Sequence, residues 1–454
     1  MCSIQEDDQF RLESKSELNT GRVCMKCQNL AVVVIRVNDA FCRECFLKYC
    51  THKFRSAFGK SKLIRDGDAV LVAVSGGQAT TALVHLIQEG LSCRAQKKLR
   101  FNPTLVYIDE GAVINESREE RLKVCSKMAA LFKATSFPFH IIPFEKVMKE
   151  SLRYDSDSSL AGYMESLTLE NSLANQLRDL LDSTSSLTAK ENLQSILRRR
   201  LLISLAEKLS ISKVMTGETS THLASQLLSS ISQGRGKHVS DEMSFSDGRN
   251  QAVMFVRPLR EFSSKETALY NRMMSLEPCI QPTLTTKTGL GSSIDRLTQS
   301  FVATLQAGFP STVSTIFRTG EKLSSELDKN KEDDFCIMCQ SVLDTDTPES
   351  SALSATLFSQ KLSSVAVPGE KMCKETSGEE NCCGEGDGSC KSTNKTGSLD
   401  KEDLLPLSCY GCRLILREMS STTCIPGNII QEAEKRIRRS AMKSSIQGYL
   451  LEDE

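Results

Sequence analysis

Residues 69–81, Ala-Val-Leu-Val-Ala-Val-Ser-Gly-Gly-Gln-Ala-Thr-Thr, constrain the fold more than any other stretch of the chain. Val70, Leu71, Val72 and Val74 form a near-continuous apolar run, the pattern of a strand buried on both faces of a parallel sheet. The run stops at Ser75-Gly76-Gly77, and Thr80 to Glu89 reads as a helix. A strand entering a glycine turn and a helix start is the geometry of a phosphate cradle. Glycines let backbone approach a ligand, and free N–H groups at the positive helix end favour an anion. An ordinary tight βα turn uses the same residues, so this segment alone leaves both readings open. Leu105 to Gly111 adds a second strand ending in Asp109-Glu110-Gly111, and open α/β sheets bind ligands beyond the carboxyl ends of their strands.

The cysteines are the second constraint. Cys24-x2-Cys27 and Cys42-x2-Cys45, fourteen residues apart, have the spacing of a four-thiolate zinc site with no open coordination position, hence structural rather than catalytic. Cys50 and His52 follow closely and fall outside that shell. Cys336-x2-Cys339 and Cys409-x2-Cys412 repeat the pattern across 69 residues rich in Ser, Thr, Gly, Asp and Glu, the composition of a disordered loop. Cys373, Cys382, Cys383 and Cys390 lie within that loop as accessory or unpaired thiols. The first twenty residues carry no apolar secretory core, so the chain reads as cytosolic, where recurrent Cys-x-x-Cys pairs bind metal more often than they form disulfides. Runs such as Ala31 to Ile35 are far too short to span a bilayer.

Lys+Arg and Asp+Glu are each 57, so no global charge pulls toward nucleic acid, but the local distribution is uneven. Lys48, His52, Lys53, Arg55, Lys60, Lys62 and Arg65 are interleaved with Phe46, Tyr49, Phe54 and Phe58. This is either a helix with its aromatics in the core or a face whose cations neutralise RNA phosphates. Phe137 to Phe144, Lys213 to Thr216 and Ala252 to Val256 read as further strands, and Glu116–Phe132, Leu193–Leu209, Glu218–Ser232 and Ser264–Ser275 as helices. That alternation argues for βαβ units and a parallel sheet. Arg198-Arg199-Arg200 lies on the Leu193–Leu209 helix, and Gly234-Arg235-Gly236-Lys237-His238 is a basic turn that contacts phosphate or serves only as a loop. Arg257 and Arg260 have no evident acid partner except Glu261, which suggests an anion-facing role. A helix-like stretch runs from Thr319 to Leu327.

Taken together, Ser75-Gly76-Gly77, Ile108-Asp109-Glu110-Gly111, Thr216-Gly217 and Arg257-Pro258-Leu259-Arg260-Glu261 followed by Lys265, Glu266 and Tyr270 resemble the PP-loop ATP pyrophosphatases that thiolate tRNA. The resemblance covers roughly residues 20–320 and the terminal cysteine pairs, and it is greatest to a degenerate eukaryotic branch. It implies an adenine-nucleotide-binding α/β sheet with zinc ribbons at both ends. It also implies ATP-dependent activation of the wobble uridine (U34) of cytoplasmic tRNAs for Lys, Glu and Gln, with sulfur delivered as a thiocarboxylate on a ubiquitin-like carrier. The loop departs from the family's Ser-Gly-Gly-x-Asp-Ser: Ala79 occupies the Asp position and Thr80 the second Ser. Glu218-Thr219-Ser220-Thr221-His222 stands where the family carries His and an Asp pair, and Glu191 and Gln194 fall where complete thiolases carry Cys-x-x-Cys. Cys279 matches a third family cysteine, either as a reactive thiol or as a small buried hydrophobe. One thiol of three cannot complete a cluster site, so no iron–sulfur cluster is expected in this chain.

The expected organisation is a disordered segment 1–20, an N-terminal zinc ribbon with its basic segment at 21–62, and a PP-loop domain at 63–330 with an insertion at 151–188. A C-terminal ribbon follows at 331–425, interrupted by a disordered 341–407, and a basic helix closes the chain at 426–454. Ser75, Gly76, Gly77, Thr80 and Asp109 are the nucleotide-facing residues. Lys48, Lys53, Arg55, Lys60, Lys62, Arg65 and Arg198–Arg200 are the RNA-facing ones, and the eight paired cysteines hold Zn2+. With its metal- and sulfur-organising groups replaced, the chain reads as a non-catalytic subunit working beside a catalytic PP-loop paralogue. An active adenylating enzyme using Thr80 and Asp109 for ATP and Mg2+ is the first rival reading, and a zinc-ribbon nucleic-acid scaffold the second.

Overall fold

The computed structural model describes residues 21–36, 38–92, 98–149, 163, 171–250, 252–323, 335–344, 356, 359–360 and 399–447. Residues 1–20, most of 151–170 and of 345–398, and with them Cys373, Cys382, Cys383 and Cys390, lie outside the described residues.

Strands β3 (Ala69–Ala73), β4 (Asn102–Asp109), β5 (Phe139–Pro143), β6 (Lys213–Met215), β7 (Ser246–Asp247) and β8 (Met254–Val256) form a six-stranded sheet in the order β5-β4-β3-β6-β8-β7. All neighbours are parallel except the edge strand β7, which runs antiparallel to β8. Strand order reverses direction between β3 and β6, where Leu71 and Val72 pair with Val214 and Met215. A crevice at such a switch point is where an open α/β sheet takes its ligand.

The apolar run of β3 serves two cores at once because successive side chains point to opposite faces. Leu71 joins Val106, Val214 and the helices α4 (Asn171–Asp182) and α5 (Leu187–Lys208) on one face. Val70, Val72 and Val74 join α1 (Arg43–Ser61), α2 (Gln78–Leu91), α3 (Arg118–Thr135) and α8 (Ser264–Met274) on the other. Capping boxes start two of these helices: Ser117 with Glu120 on α3, and Ser263 with Glu266 on α8. Helix α6 (Ser220–Ser232) starts at Thr219, whose side chain accepts from His222 N–H, and packs with the short α7 (Val239–Met243), α9 (Ile294–Gly308) and α10 (Thr312–Glu321).

Two small modules complete the fold. At the N-terminal end, β1 (Val33–Val34) and β2 (Ala40–Phe41) pair as a hairpin that runs into α1. At the C-terminal end, α11 (Lys401–Leu404), α12 (Tyr410–Glu418) and α13 (Gly427–Gln447) pack with Cys336, Ile337 and Met338 into the same core as α4 and α5.

Three expectations are corrected. The segment 341–407 is ordered at both ends: Phe335 and Val342 form an antiparallel bridge, and α11 buries Leu404 completely. The helix expected at 319–327 starts earlier, as α10, because Val313, Phe317 and Gly320 are the residues its packing face buries, and 324–327 lie outside the described residues. Helix α9 falls in a stretch for which the sequence suggested no element.

Candidate nucleotide edge and metal centres

The glycine turn keeps the shape of a phosphate cradle. Gly76 has φ +80°, in the left-handed region, and Gly77 caps α2 without a side-chain hydrogen bond, leaving the first-turn amides with no intrahelical acceptor. Thr80 is turned back on the loop: its Oγ1 donates to Gly77 O at 3.1 Å and meets Ser75 Oγ at 3.3 Å. Gly217, at the end of β6, lies so close to Thr80 that a Cβ there would come within 2.7 Å of Thr80 Cγ2. Asn271 of α8 pins the helix start by donating to Gln78 O and Oε1, each at 2.8 Å. Cys279 does reach this loop, but through its backbone: a Cβ on Gly76 would meet Cys279 O at 2.5 Å, and the half-buried Cys279 Sγ accepts from Gln281 Nε2 at 3.2 Å.

The carboxylates beyond the strand ends are all engaged. Asp109, only 2% exposed, accepts from Arg121 Nε at 2.6 Å, from Gly111 N–H at 3.1 Å and from the Tyr163 hydroxyl. The other end of Arg121 grips Glu145 at 2.8 and 3.0 Å. Burial pushes Glu145 above its ordinary value although Arg121 pulls it down, and burial holds the neighbouring Cys125 thiol up at about 12. Glu110 is clasped by Arg198 and accepts from Gln194 Nε2 at 2.8 Å. Glu218, beyond β6, pairs with Arg257, whose far nitrogen reaches the fully buried Asp247 at 3.3 Å. Asp247 also binds Arg199 at 2.9 Å and Arg249. Its burial would raise its pKa, but Arg249, Arg199 and Arg257 hold it far below the carboxylate range. Burial and the nearby Arg249 in turn push Arg199 down to about 10.

These contacts correct several site readings. Asp109 is not a free ligand for a nucleotide-bound cation. Arg199 and Arg200 are turned inward, onto Asp247 and the Phe255 ring and onto the carbonyls of Ile337 and Met338, while Arg198, its side chain still 42% exposed, is paired with Glu110. Lys53 pairs with Glu266 at 2.8 Å and lies over the Phe262 ring, so it too is spent inside the fold. Arg257 and Arg260 have acid partners after all, in Glu218, Asp247 and Glu321. The basic turn at 234–238 packs on the C-terminal module, with Gly234 against Tyr410, Arg235 over Gly411 and His238 beside Asp344 at 3.5 Å. Lys48, Lys60, Lys62 and Arg65 are exposed on and just after α1, with Lys60 loosely paired to Glu261, whereas Arg55 is half-buried.

Sequence reasoning missed Arg121, Glu145, Tyr163, Asp247 and Arg249. Arg121 had a readable signal: it stands on the apolar stripe Arg121, Cys125, Met128, Ala129 and Phe132, where a charge needs a buried partner. At the family's cysteine positions, Gln194 binds Glu110, and Glu191, raised by burial, accepts a hydrogen bond from Ser293.

Both cysteine quartets assemble. Within each, the four Sγ atoms lie within 4.8 Å of one another. Cys27 and Cys42 are 3.5 Å apart, Cys45 and Cys27 3.7 Å, and Cys339 and Cys409 3.5 Å. A tetrahedron with metal–sulfur bonds of about 2.3 Å has sulfur–sulfur edges of about 3.8 Å, so the donor set fits one zinc-sized ion, and disulfides at about 2.05 Å are excluded. The tips match too: Lys26 N–H points at Cys24 Sγ and Met338 N–H at Cys336 Sγ, each at 3.4 Å. As expected, Cys50 and His52 are not in the first quartet.

Among the described residues no helix is long and apolar enough to cross a membrane. A U34-tRNA thiolase from Methanococcus maripaludis, NcsA, solved with its [4Fe-4S] cluster, superposes with a TM-score of 0.50 over 68% of this chain and 90% of its own, at 15% identity. That likeness establishes the PP-loop fold. The family model described as cytoplasmic tRNA 2-thiolation protein 2 matches residues 293–414. Curated proteins of the same name are similar along the whole length: 39% identity with the Danio rerio protein over 100% of both chains, and 32% with the Homo sapiens protein over 95% of this chain and 93% of that one. On identity of that extent along both chains, the chain belongs to the cytoplasmic tRNA 2-thiolation protein 2 family.

Proposed function

We propose that this chain is a non-catalytic subunit of a cytoplasmic tRNA thiolase. It works as a heterodimer with a catalytic PP-loop paralogue that places sulfur at C2 of the wobble uridine in tRNAs for Lys, Glu and Gln. The sulfur comes from a thiocarboxylated ubiquitin-like carrier, and the two cysteine quartets hold structural Zn2+.

One observation carries this reading: each carboxylate at the crevice is clasped by one of the chain's own arginines, Asp109 by Arg121, Glu110 by Arg198 and Glu218 by Arg257. The glycine loop and the start of α2 retain the outline of a cradle, but an ATP complex needs Mg2+, and Mg2+ needs carboxylate oxygens that are free to bind it. The sulfur-handling side is altered as well, since α5 carries Glu191 and Gln194 and contains no cysteine. What stays available is a scaffold with two ribbons and the exposed cations Lys48, Lys60, Lys62 and Arg65 near the first of them, suited to the phosphates of a tRNA.

Reconstitution tests the proposal. The chain, the paralogue and their mixture are each incubated with ATP, Mg2+, thiocarboxylated carrier and unmodified tRNA, and 2-thiouridine is measured by mass spectrometry of digested RNA. Thiolation by the mixture and none by this chain alone is the expected result. Robust ATP-dependent thiolation by the isolated chain overturns it.

A further inference from the structure

We propose that Arg200 is a positioning residue for the C-terminal metal centre, holding the Cys336–Cys339 knuckle in its metal-binding shape. The inference rests on the zinc reading above and goes beyond it by naming what tunes that site. Arg200 Nη1 donates to Ile337 O at 2.8 Å and Met338 O at 3.1 Å, the two carbonyls inside the Cys-Ile-Met-Cys loop.

The peptide joining Ile337 to Met338 is planar and trans, so its C=O and N–H point in opposite directions. Drawing Ile337 O toward α5 therefore aims Met338 N–H the other way, and it meets Cys336 Sγ at 3.4 Å. An N–H aimed at a ligand sulfur stabilises the thiolate form that binds metal. Charge gives a second reason. Four thiolates around one divalent ion leave a formal charge of about −2, and Cys336, Cys409 and Cys412 are all buried. A buried charge is costly unless a counter-charge lies near it. Arg200 supplies one from α5, while Arg249 Nη1 reaches Ser341 Oγ at 3.0 Å and Arg436 reaches Phe335 O, flanking the same loop.

The N-terminal quartet is a built-in reference. Its knuckle has the same bond, Lys26 N–H to Cys24 Sγ, but Met25 at its tip is 56% exposed. Groups beyond the ligands of a metal site typically change metal affinity about 10- to 100-fold when removed. Loss of Arg200 is thus expected to loosen one of two zinc ions and leave the other alone.

The test uses the full chain loaded with zinc. Native mass spectrometry counts the ions, and transfer to a chromogenic chelator gives their release rates, with Cys24→Ser identifying the N-terminal phase. In Arg200→Met one phase is expected to accelerate by roughly 10- to 100-fold, and the N-terminal phase to keep its wild-type rate. Arg200→Lys, which keeps the charge but not the planar fork, recovers part of the loss. Arg198→Met, on the same helix but directed at Glu110, leaves both phases unchanged. Arg200→Gln retains one donor for the same carbonyls and carries the test should Arg200→Met fail to fold, with a smaller acceleration expected. Wild-type release rates for the C-terminal zinc in the Met and Gln variants overturn the role of Arg200. A wild-type chain lacking zinc at Cys336, Cys339, Cys409 and Cys412 instead overturns the zinc reading on which the inference stands.

Discussion

Replacing Arg121 with Met tests the claim that arginines close the crevice from inside. Arg121 is 7% exposed and lies between Asp109 and Glu145, each 2% exposed. Removing it leaves two buried carboxylates without their cation, a change that costs about 3–5 kcal/mol at neutral pH. With a denaturant slope of about 3 kcal/mol per molar urea, the midpoint falls by roughly 1–1.7 M. The deficit depends on pH with a definite sign. Burial already raises Glu145 above its ordinary value, and Arg121 opposes that rise, so the variant raises it further. A carboxyl whose folded pKa is raised contributes stability below its unfolded pKa and loses that contribution as pH climbs through the folded value. The gap between wild type and Arg121→Met is therefore smallest near pH 5 and widest near pH 8. Urea unfolding followed by far-ultraviolet circular dichroism at both pH values reads it out. A midpoint shift below about 0.3 M at pH 8, or an equal shift at both pH values, would refute the reasoning.

Two shorter predictions follow from the loop and the basic face. Gly76→Ala forces an L side chain into φ +80° and against Cys279 O, whereas a Cβ on Gly77 meets nothing nearer than Ser75 Oγ at 3.6 Å. The first change is expected to cost about 1–3 kcal/mol or more, and the second to shift thermal unfolding little; equal effects would show that Cys279 does not cover the loop. Lys48→Glu, Lys62→Glu and Arg65→Glu together are expected to weaken tRNA binding and flatten its dependence on salt, by up to about one unit of slope for each phosphate left without its cation. Filter binding at several salt concentrations measures this, and an unchanged slope removes α1 from the RNA face.

The frame of the sheet was readable because its strands are short apolar runs that end in glycine or acid. The strands Ala69–Ala73, Asn102–Asp109 and Lys213–Met215 overlap the apolar runs that begin at Val70, Leu105 and Lys213. The cysteine quartets were readable because knuckle spacing is local even where the partner pair is distant. The roles of the arginines were not, since charge partners are set by folding rather than by neighbourhood. Arg198 meets Glu110 from 88 residues away, Arg199 meets Asp247 from 48, and Arg200 meets Ile337 from 137. A run of three arginines therefore looked like a cationic face, yet successive side chains on a helix point about 100° apart and reach three different parts of the chain. Helix α9 carried a readable signal, since Ile294, Leu297, Phe301, Val302 and Leu305 recur at helical spacing, although Leu297 and Phe301 remain 55% and 54% exposed.

The placement of the last two cysteines bears on how the polypeptide is made. Cys409, Cys412, Ile415 and Ala433 fill the same interior as Leu197 and Leu201, so the core that α4 and α5 build on one side of the sheet is finished only once the ribosome has passed residue 433. A nascent chain halted anywhere between 339 and 408 holds half a thiolate cage and an α5 without the packing of α12. A premature stop codon in that interval therefore yields a fragment with an unfinished interior rather than a nearly complete molecule.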